Sequence, residues 1–374
     1  MKRPVRKSGG VRFMTDQRRF LMMAGGTGGH VFPALATARA LEARGHQVYW
    51  LGASGGMEQR LIGETDIPLS LIHISGLRGK GRLALVLAPF RLMRALGEAF
   101  TVLRQIRPDC VVGMGGFVTG PGGVAAWLTR TPLVIHEQNA IAGMTNRILV
   151  RFAETVLEAF PGSFGPKVVT RCTGNPVRED LATLPAPEQR LAGREGPLRL
   201  LVIGGSLGAQ VFNQQLPEAL ALLPETQRPV VRHQCGERHA EVARAAYEKH
   251  GVEASVEPFI KDMADAYQWA DLVLCRSGAL TVSELCAAGI GAVLVPFPHA
   301  VDDHQTKNGE QMVAEKAAIL IPQSKMTPVV LAETLGDLSR DRSRVTDMAK
   351  AARTLARPDA TERVVNYCLE AANG

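Results

Sequence analysis

Residues 19–32 (Arg-Phe-Leu-Met-Met-Ala-Gly-Gly-Thr-Gly-Gly-His-Val-Phe) align without a gap on residues 199–212 (Arg-Leu-Leu-Val-Ile-Gly-Gly-Ser-Leu-Gly-Ala-Gln-Val-Phe), 180 residues further on. In both copies an apolar run of strand length meets a glycine cluster and then a helix-period segment, the opening βα unit of a doubly wound sheet. The repeat predicts two Rossmann-like α/β domains in tandem, and 374 residues let each bury its own core. Further strands are expected at 47–51, 69–72, 110–113, 133–136 and 155–157, then at 230–233, 272–275 and 292–295. Alternating strands and helices imply parallel sheets, whose ligands lie beyond the carboxyl ends of the strands. Gly174-Asn-Pro-Val-Arg178 and the proline-rich stretch 184–187 mark the boundary. The expected division is a basic extension over 1–18, a first domain over 19–177, a second over 178–355, and a helical end, 356–374, packing back on the first domain.

A turn of glycines at a helix start presents backbone N–H groups to an anion at the positive end of the helix dipole. Its plainer reading is a tight turn that needs positive φ. Recurrence at one topological position, with a third cluster over 113–123 after another strand, favours phosphate and suggests two phosphorylated ligands. A nicotinamide dinucleotide does not fit. The spacing misses G-x-G-x-x-G, and Val48-Tyr-Trp-Leu-Gly52 offers no ribose-binding acid before Glu58. G-x-x-x-x-G-K-[ST] and D-x-D are both absent, and His136-Glu137 lacks the second histidine of a zincin. No metal site or cofactor is expected.

The formal charge of +7 is concentrated in the extension: the first 19 residues carry seven basic side chains against Asp16, leaving the body near neutral. Such a body argues against a nucleic-acid partner. The extension lacks an apolar core before Asp16, so it is expected to be disordered, not a secretory signal. Six scattered cysteines without C-x-x-C spacing fit reduced thiols, and the longest uncharged stretch, 110–129, is too rich in glycine to suggest a membrane span.

The motifs Gly25-Gly-Thr-Gly-Gly-His-Val-Phe-Pro33, Ile74-Ser-Gly-Leu-Arg-Gly-Lys80, the cluster 113–123, His136-Glu-Gln-Asn139, Gly174-Asn-Pro-Val-Arg178 and Cys275-Arg-Ser-Gly-Ala-Leu-Thr-Val-Ser-Glu284 occur in that order. Together they resemble the MurG family of peptidoglycan N-acetylglucosaminyltransferases from about Phe20 to the C-terminus. The resemblance implies a GT-B fold, two Rossmann-like domains facing a cleft, and inverting transfer of GlcNAc from UDP-GlcNAc to the C4 hydroxyl of MurNAc in lipid I, giving lipid II. It also implies a peripheral position on the cytoplasmic face of the plasma membrane and other cell-wall synthesis proteins as partners.

By the same resemblance the second domain holds the donor. Gly205 and Ser206 would meet the diphosphate, and the segment Ala279, Leu280, Thr281, Val282, Ser283 would add a second helix start after Ser277 and Gly278. Glu284 would accept ribose hydroxyls, although Thr281-Val-Ser-Glu284 also reads as a capping box. The backbone of Ile260 would read uracil; a buried apolar position explains it equally. Gln305 and Asn308, on one helix face, match acetamidosugar contacts, against an exposed polar face. Thr27, Gly28, Gly29, Asn139 and Arg178 carry over as first-domain and hinge residues. His30 is the candidate general base, its pKa expected to fall at a helix N-terminus, with plain phosphate binding as the competing role.

Arg78, Lys80, Arg82, Arg91 and Arg94 are interleaved with Leu83, Leu85, Val86, Leu87, Phe90, Leu92 and Met93, and no acid lies between Asp66 and Glu98. This pattern suits an anionic membrane surface; the bland reading is a core helix with a basic edge. Two positions depart from the family pattern: Leu207 where glutamine is usual, and Gly309 where alanine is common. The competing functions are another UDP-sugar enzyme of the same fold, an epimerase or a lipid glycosyltransferase, and a UDP-sugar sensor without turnover.

Overall fold

The computed structural model describes residues 17–75, 87–205 and 208–374. The first domain runs β1 (Arg19–Met23), α1 (Gly28–Ala43), β2 (Gln47–Ala53), α2 (Met57–Gly63), β3 (Leu69–Ile72), α3 (Ala88–Ile106), β4 (Cys110–Gly113), α4 (Thr119–Leu128), β5 (Leu133–Glu137), α5 (Met144–Leu149), β6 (Thr155–Glu158) and β7 (Arg171–Cys172). Two short helices, α6 (Glu179–Ala182) and α7 (Pro187–Arg190), lead to β8 (Arg199–Ile203), α8 (Gln210–Ala221), β9 (Val230–Gln234), α9 (Ala240–Lys249), β10 (Ser255–Glu257), α10 (Met263–Trp269), β11 (Leu272–Cys275), α11 (Ala279–Ala288), β12 (Gly291–Leu294), α12 (His304–Ala314) and β13 (Ala318–Leu320). Helices α13 (Pro328–Arg340), α14 (Arg342–Thr354) and α15 (Ala360–Asn373) complete the chain.

Both sheets are parallel, ordered β3-β2-β1-β4-β5-β6-β7 and β10-β9-β8-β11-β12-β13. In each, the first strand of its half is central: β1 pairs with β2 and β4, and β8 with β9 and β11. Strand order reverses there, so both glycine turns open at the switch point where such sheets leave a crevice.

The period-2 alternation of the central strands divides them between two helical layers. Phe20, Met22 and Ala24 face α1 and α15, whereas Leu21 and Met23 face the layer that contains Ala95, Ala99 and Leu103 of α3. Likewise Leu200 and Val202 join one core of the second domain, and Leu201 and Ile203 the other. Through Val364, Val365, Cys368 and Ala371, α15 supplies part of the first domain's core, although α13 and α14 pack on the second. Burial of each such aliphatic side chain contributes about 1.5–3 kcal/mol.

Three strands were not anticipated from the sequence: β7, β10 and β13. Each has only two or three residues at or near a sheet edge, too few to show alternation. Most of the basic extension, and Arg78, Lys80, Arg82, Leu83, Leu85 and Val86 of the basic–apolar stretch, lie outside the described residues.

Candidate active site

The first glycine turn occupies residues 24–27, between β1 and α1, and takes its left-handed residue at Gly26, φ +86°. Thr27 is the N-cap in extended conformation, and its carbonyl accepts the N–H groups of His30 and Val31. The second turn is not a copy of the first despite the gapless alignment. Positive φ falls at Gly205 (+82°) and Gly208 (+74°), and α8 starts at Gln210, two residues later than its counterpart. Ser206 and Leu207 lie outside the described residues.

The first turn already holds an anion of the protein's own. Glu58, fully buried at the start of α2, accepts the Gly26 N–H (3.0 Å) and the Ala53 N–H (2.8 Å). A Cβ on Gly25 or Gly56 would overlap its carboxylate, and one on Gly52 would lie 2.9 Å from its Cγ. These glycines make room for a carboxylate, and the Gly26 N–H is taken by it. The third cluster is closely packed as well. A Cβ on Gly113 would lie 2.6 Å from Thr119 Cγ2 and one on Gly123 2.7 Å from Leu149 Cδ2, so close packing accounts for these positions. Gly116, at φ +88°, rests on the Gly25 backbone, and the Gly115 carbonyl accepts the Gly25 N–H.

His30 stands in the first turn of α1 with Nδ1 3.1 Å from the Gly25 carbonyl and 3.4 Å from Thr27 Oγ1. A carbonyl only accepts, so in the neutral ring Nδ1 carries the proton and Nε2 keeps a lone pair. One ring edge lies on Gly115, where a Cβ would come 2.7 Å from Cδ2. The pKa is lowered, first by burial; Glu137, the Gly25 carbonyl and Glu58 oppose the shift and His304 adds to it. The expected direction holds, but desolvation is the leading cause. Glu137 itself is buried and accepts from the Asn139 N–H (3.0 Å), Asn139 Nδ2 (3.2 Å), the Gly143 N–H (3.0 Å) and Asn146 Nδ2 (2.9 Å).

Across from it, α11 begins at Ala279 with Gly278 as N-cap. Thr281 is therefore already helical and Glu284 lies beyond the first turn, so the capping-box reading is wrong. Glu284 instead accepts the Tyr267 hydroxyl (3.0 Å). Burial raises its pKa to about 6, against the pull of Arg178 and the Tyr267 hydrogen bond. Ser277 Oγ is buried just ahead of this helix, without a hydrogen-bond partner among the described residues. Ser283 Oγ donates to the Ala279 carbonyl and accepts from Asn175 Nδ2, each at 3.0 Å. Ile260 is 2% exposed within the core that holds Tyr267, so its side chain is accounted for by packing and only its backbone is left for a ligand.

Gln305 Oε1 accepts the Phe297 N–H (2.9 Å). Asn308 is fully buried and spans the two domains: its Oδ1 accepts the Ala140 N–H (2.8 Å), and its Nδ2 donates to Asn139 Oδ1 and the Ser277 carbonyl, both at 3.2 Å. Neither an exposed polar face nor a free sugar contact describes that arrangement. Arg147 and Asp302 add an ion pair at 3.8 Å between the same domains. A Cβ on Gly309 would lie 3.1 Å from the Cδ1 atoms of Leu294 and Leu320, tight enough that both leucines would have to shift.

Residues 20–158 match the glycosyltransferase family 28 N-terminal domain, and residues 199–364 its C-terminal domain. A Marinobacter nauticus protein named UDP-N-acetylglucosamine–N-acetylmuramyl-(pentapeptide) pyrophosphoryl-undecaprenol N-acetylglucosamine transferase is 80% identical over 96% of this chain and 100% of its own. The chain belongs to the MurG family. A Hahella chejuensis protein of the same name is 57% identical, covering 95% of this chain and 98% of its own. The crystal structure of Acinetobacter baumannii MurG superposes with a TM-score of 0.81 at 43% identity over 94% of this chain and 99% of that one. The fold is thus GT-B, and the activity class is glycosyl transfer.

In this MurG-family chain, His30, Thr27, Asn139 and Asn308 gather where the two domains meet, and Arg178 is close enough to favour the charged form of Glu284. Sequence reasoning passed over Glu58, Glu137, Asn175 and Tyr267. Glu58 was named only as the first acid after β2. A carboxylate five residues beyond a strand gives no signal of the loop beneath which it will fold.

Proposed function

We propose that the protein moves GlcNAc from UDP-GlcNAc to the C4 hydroxyl of the MurNAc unit of lipid I, with inversion, forming lipid II. Relatives at 80% and 57% identity carry the name of that transferase over nearly their whole length. The observation that supports the chemistry best is the placement of His30, its Nδ1 3.1 Å from the Gly25 carbonyl and its pKa lowered by desolvation.

In the reaction Nε2 takes the acceptor hydroxyl proton as the C4 oxygen bonds to the donor C1 from the face opposite the diphosphate. The bond from C1 to the phosphate oxygen breaks, and UDP departs with the electron pair. The N-terminus of α11 and the unpartnered Ser277 hydroxyl suit the charge that grows on the leaving diphosphate. Glu284 would accept the ribose hydroxyls, Arg178 would hold its charge, and Thr27, Gly28, Gly29 and Asn139 would line the acceptor side.

The acceptor's lipid calls for a membrane surface, and α3 supports that reading. It turns Ala95, Ala99 and Leu103 to the core while Phe90 and Met93 are 74% and 68% exposed. A core helix would reverse that pattern. No helix among the described residues is long and apolar enough to cross a membrane, so contact would be peripheral and, by the position of the lipid substrate, cytoplasmic.

The test is transfer of labelled GlcNAc to a lipid I analogue, with and without chelator. Product is expected in both cases, and His30→Ala should lower kcat by about 10²–10⁴-fold with donor affinity kept. Equal loss of both would remove His30 from the chemistry. No product under either condition, with UDP-GlcNAc still bound, would identify a sensor.

A further inference from the structure

We infer that Glu58 is a positioning residue for His30, acting through the single peptide unit that joins Gly25 to Gly26. The N–H of that unit belongs to Gly26 and donates to Glu58 Oε2 at 3.0 Å; its C=O belongs to Gly25 and lies 3.1 Å from His30 Nδ1. The order is therefore carboxylate, amide, imidazole, with one planar group between the charge and the ring. Amide resonance couples the two ends. A carboxylate on the N–H increases the negative charge on the carbonyl oxygen, which then holds the Nδ1 proton more firmly and leaves Nε2 as the basic nitrogen.

The carboxylate is firmly placed. Glu58 is fully buried, its second oxygen is held by the Ala53 N–H at 2.8 Å, and Gly25, Gly52 and Gly56 lack the side chains that would displace it. On the far side the Gly25 N–H is tied to the Gly115 carbonyl, so the peptide is fixed at both flanks. No proton passes to Glu58, because the intervening amide N–H does not ionise; it orients and polarises. Besides Glu58, the charged and titratable groups acting on His30 are Glu137 from β5 and His304 from α12.

The inference rests on the reading of His30 as general base, and the test separates the two. In ¹⁵N-histidine NMR of the full chain, the neutral His30 ring is expected in the Nδ1–H tautomer. Glu58→Gln keeps the shape but sets an amide NH₂ against one of the two N–H donors. It should shift the His30 ring nitrogens, lower the ring pKa by about half to one unit, and move the acid limb of kcat to lower pH. A fall in kcat of about tenfold is expected within the 10²–10⁴-fold advantage of a positioned base, with UDP-GlcNAc affinity unchanged. In a His30→Ala background the same substitution should change kcat less than twofold. An Nε2–H tautomer in the unmodified protein, or ring nitrogens unmoved by Glu58→Gln, overturns the inference. Undiminished kcat in His30→Ala instead overturns the general-base reading, while the tautomer still decides the relay. Should Glu58→Gln not fold, Glu58→Asp, which draws the carboxylate back by one methylene, gives the same NMR readout.

Discussion

Glu284 is a half-buried acid that accepts the Tyr267 hydroxyl, and desolvation raises its pKa from 4.5 to about 6. The folded chain therefore holds this proton more tightly than the unfolded chain, so the group's contribution to stability falls as pH rises from about 4.5 through 6, by about 2 kcal/mol in all. Glu284→Gln should remove that slope in urea titrations run from pH 4 to 7. If Glu284 binds the ribose, the same variant should weaken UDP at least tenfold at pH 7, and in the unmodified protein UDP binding should release a proton below pH 6, seen as buffer-dependent heats. Unchanged affinity would assign Glu284 to structure alone. The motif around Glu284 was legible in the sequence, but its surroundings were not, because Tyr267 comes from a different helix. His30 was legible for the same reason that Glu58 was missed: a histidine inside a glycine run stands out, whereas a glutamate in a short helix does not.

Among the elements, α3 divides most sharply between its two faces. Small residues allow its inner face to approach α4 closely, and its outer first turns carry Leu87, Phe90, Leu92 and Met93. Arg94, one of the basic residues of the stretch, donates to Glu98 at 2.8 Å, which offsets part of its positive charge. Phe90→Asp with Met93→Ser should lower binding to vesicles containing anionic lipid about tenfold or more, without loss of thermal stability, since neither side chain is buried. Sedimentation measures the first and calorimetry the second; binding that survives would place the membrane contact elsewhere. The parallel sheets followed from the duplicated βα unit because such a sheet fully buries its central strands, and β1 and β8 are accordingly apolar after an opening arginine. Turn geometry did not follow. The aligned pairs Gly25/Gly205 and Gly28/Gly208 take positive φ only in the second turn, and different groups pack beneath the two turns: Glu58 in one case, the Cys235 carbonyl in the other.

For the molecule as a whole, the hydrogen bonds of Asn308 join what the linker only tethers. Asn308→Ala would leave the Ala140 N–H and Asn139 Oδ1 without their partner, a cost of about 1–3 kcal/mol. The expected outcome is faster hydrogen exchange at residues 139–141 and a larger radius of gyration by X-ray scattering, with both sheets intact by circular dichroism. Unaltered exchange would mean that the Arg147–Asp302 pair and α1–α11 packing suffice. The chain passes between the domains twice, and the crossings touch: Gly174, at φ +82°, lies where a Cβ would come 2.7 Å from Arg357 Cβ. The second crossing delivers α15 to the core beside Phe20 and Met22. On the ribosome, β1 therefore emerges well before the helix that covers one of its faces. At about 5–20 residues per second the first domain waits on the order of tens of seconds for its final helix, whereas the second, encoded between the two crossings, can close its core sooner. Nascent chains of this protein thus carry an apolar face in need of shelter until α15 has emerged.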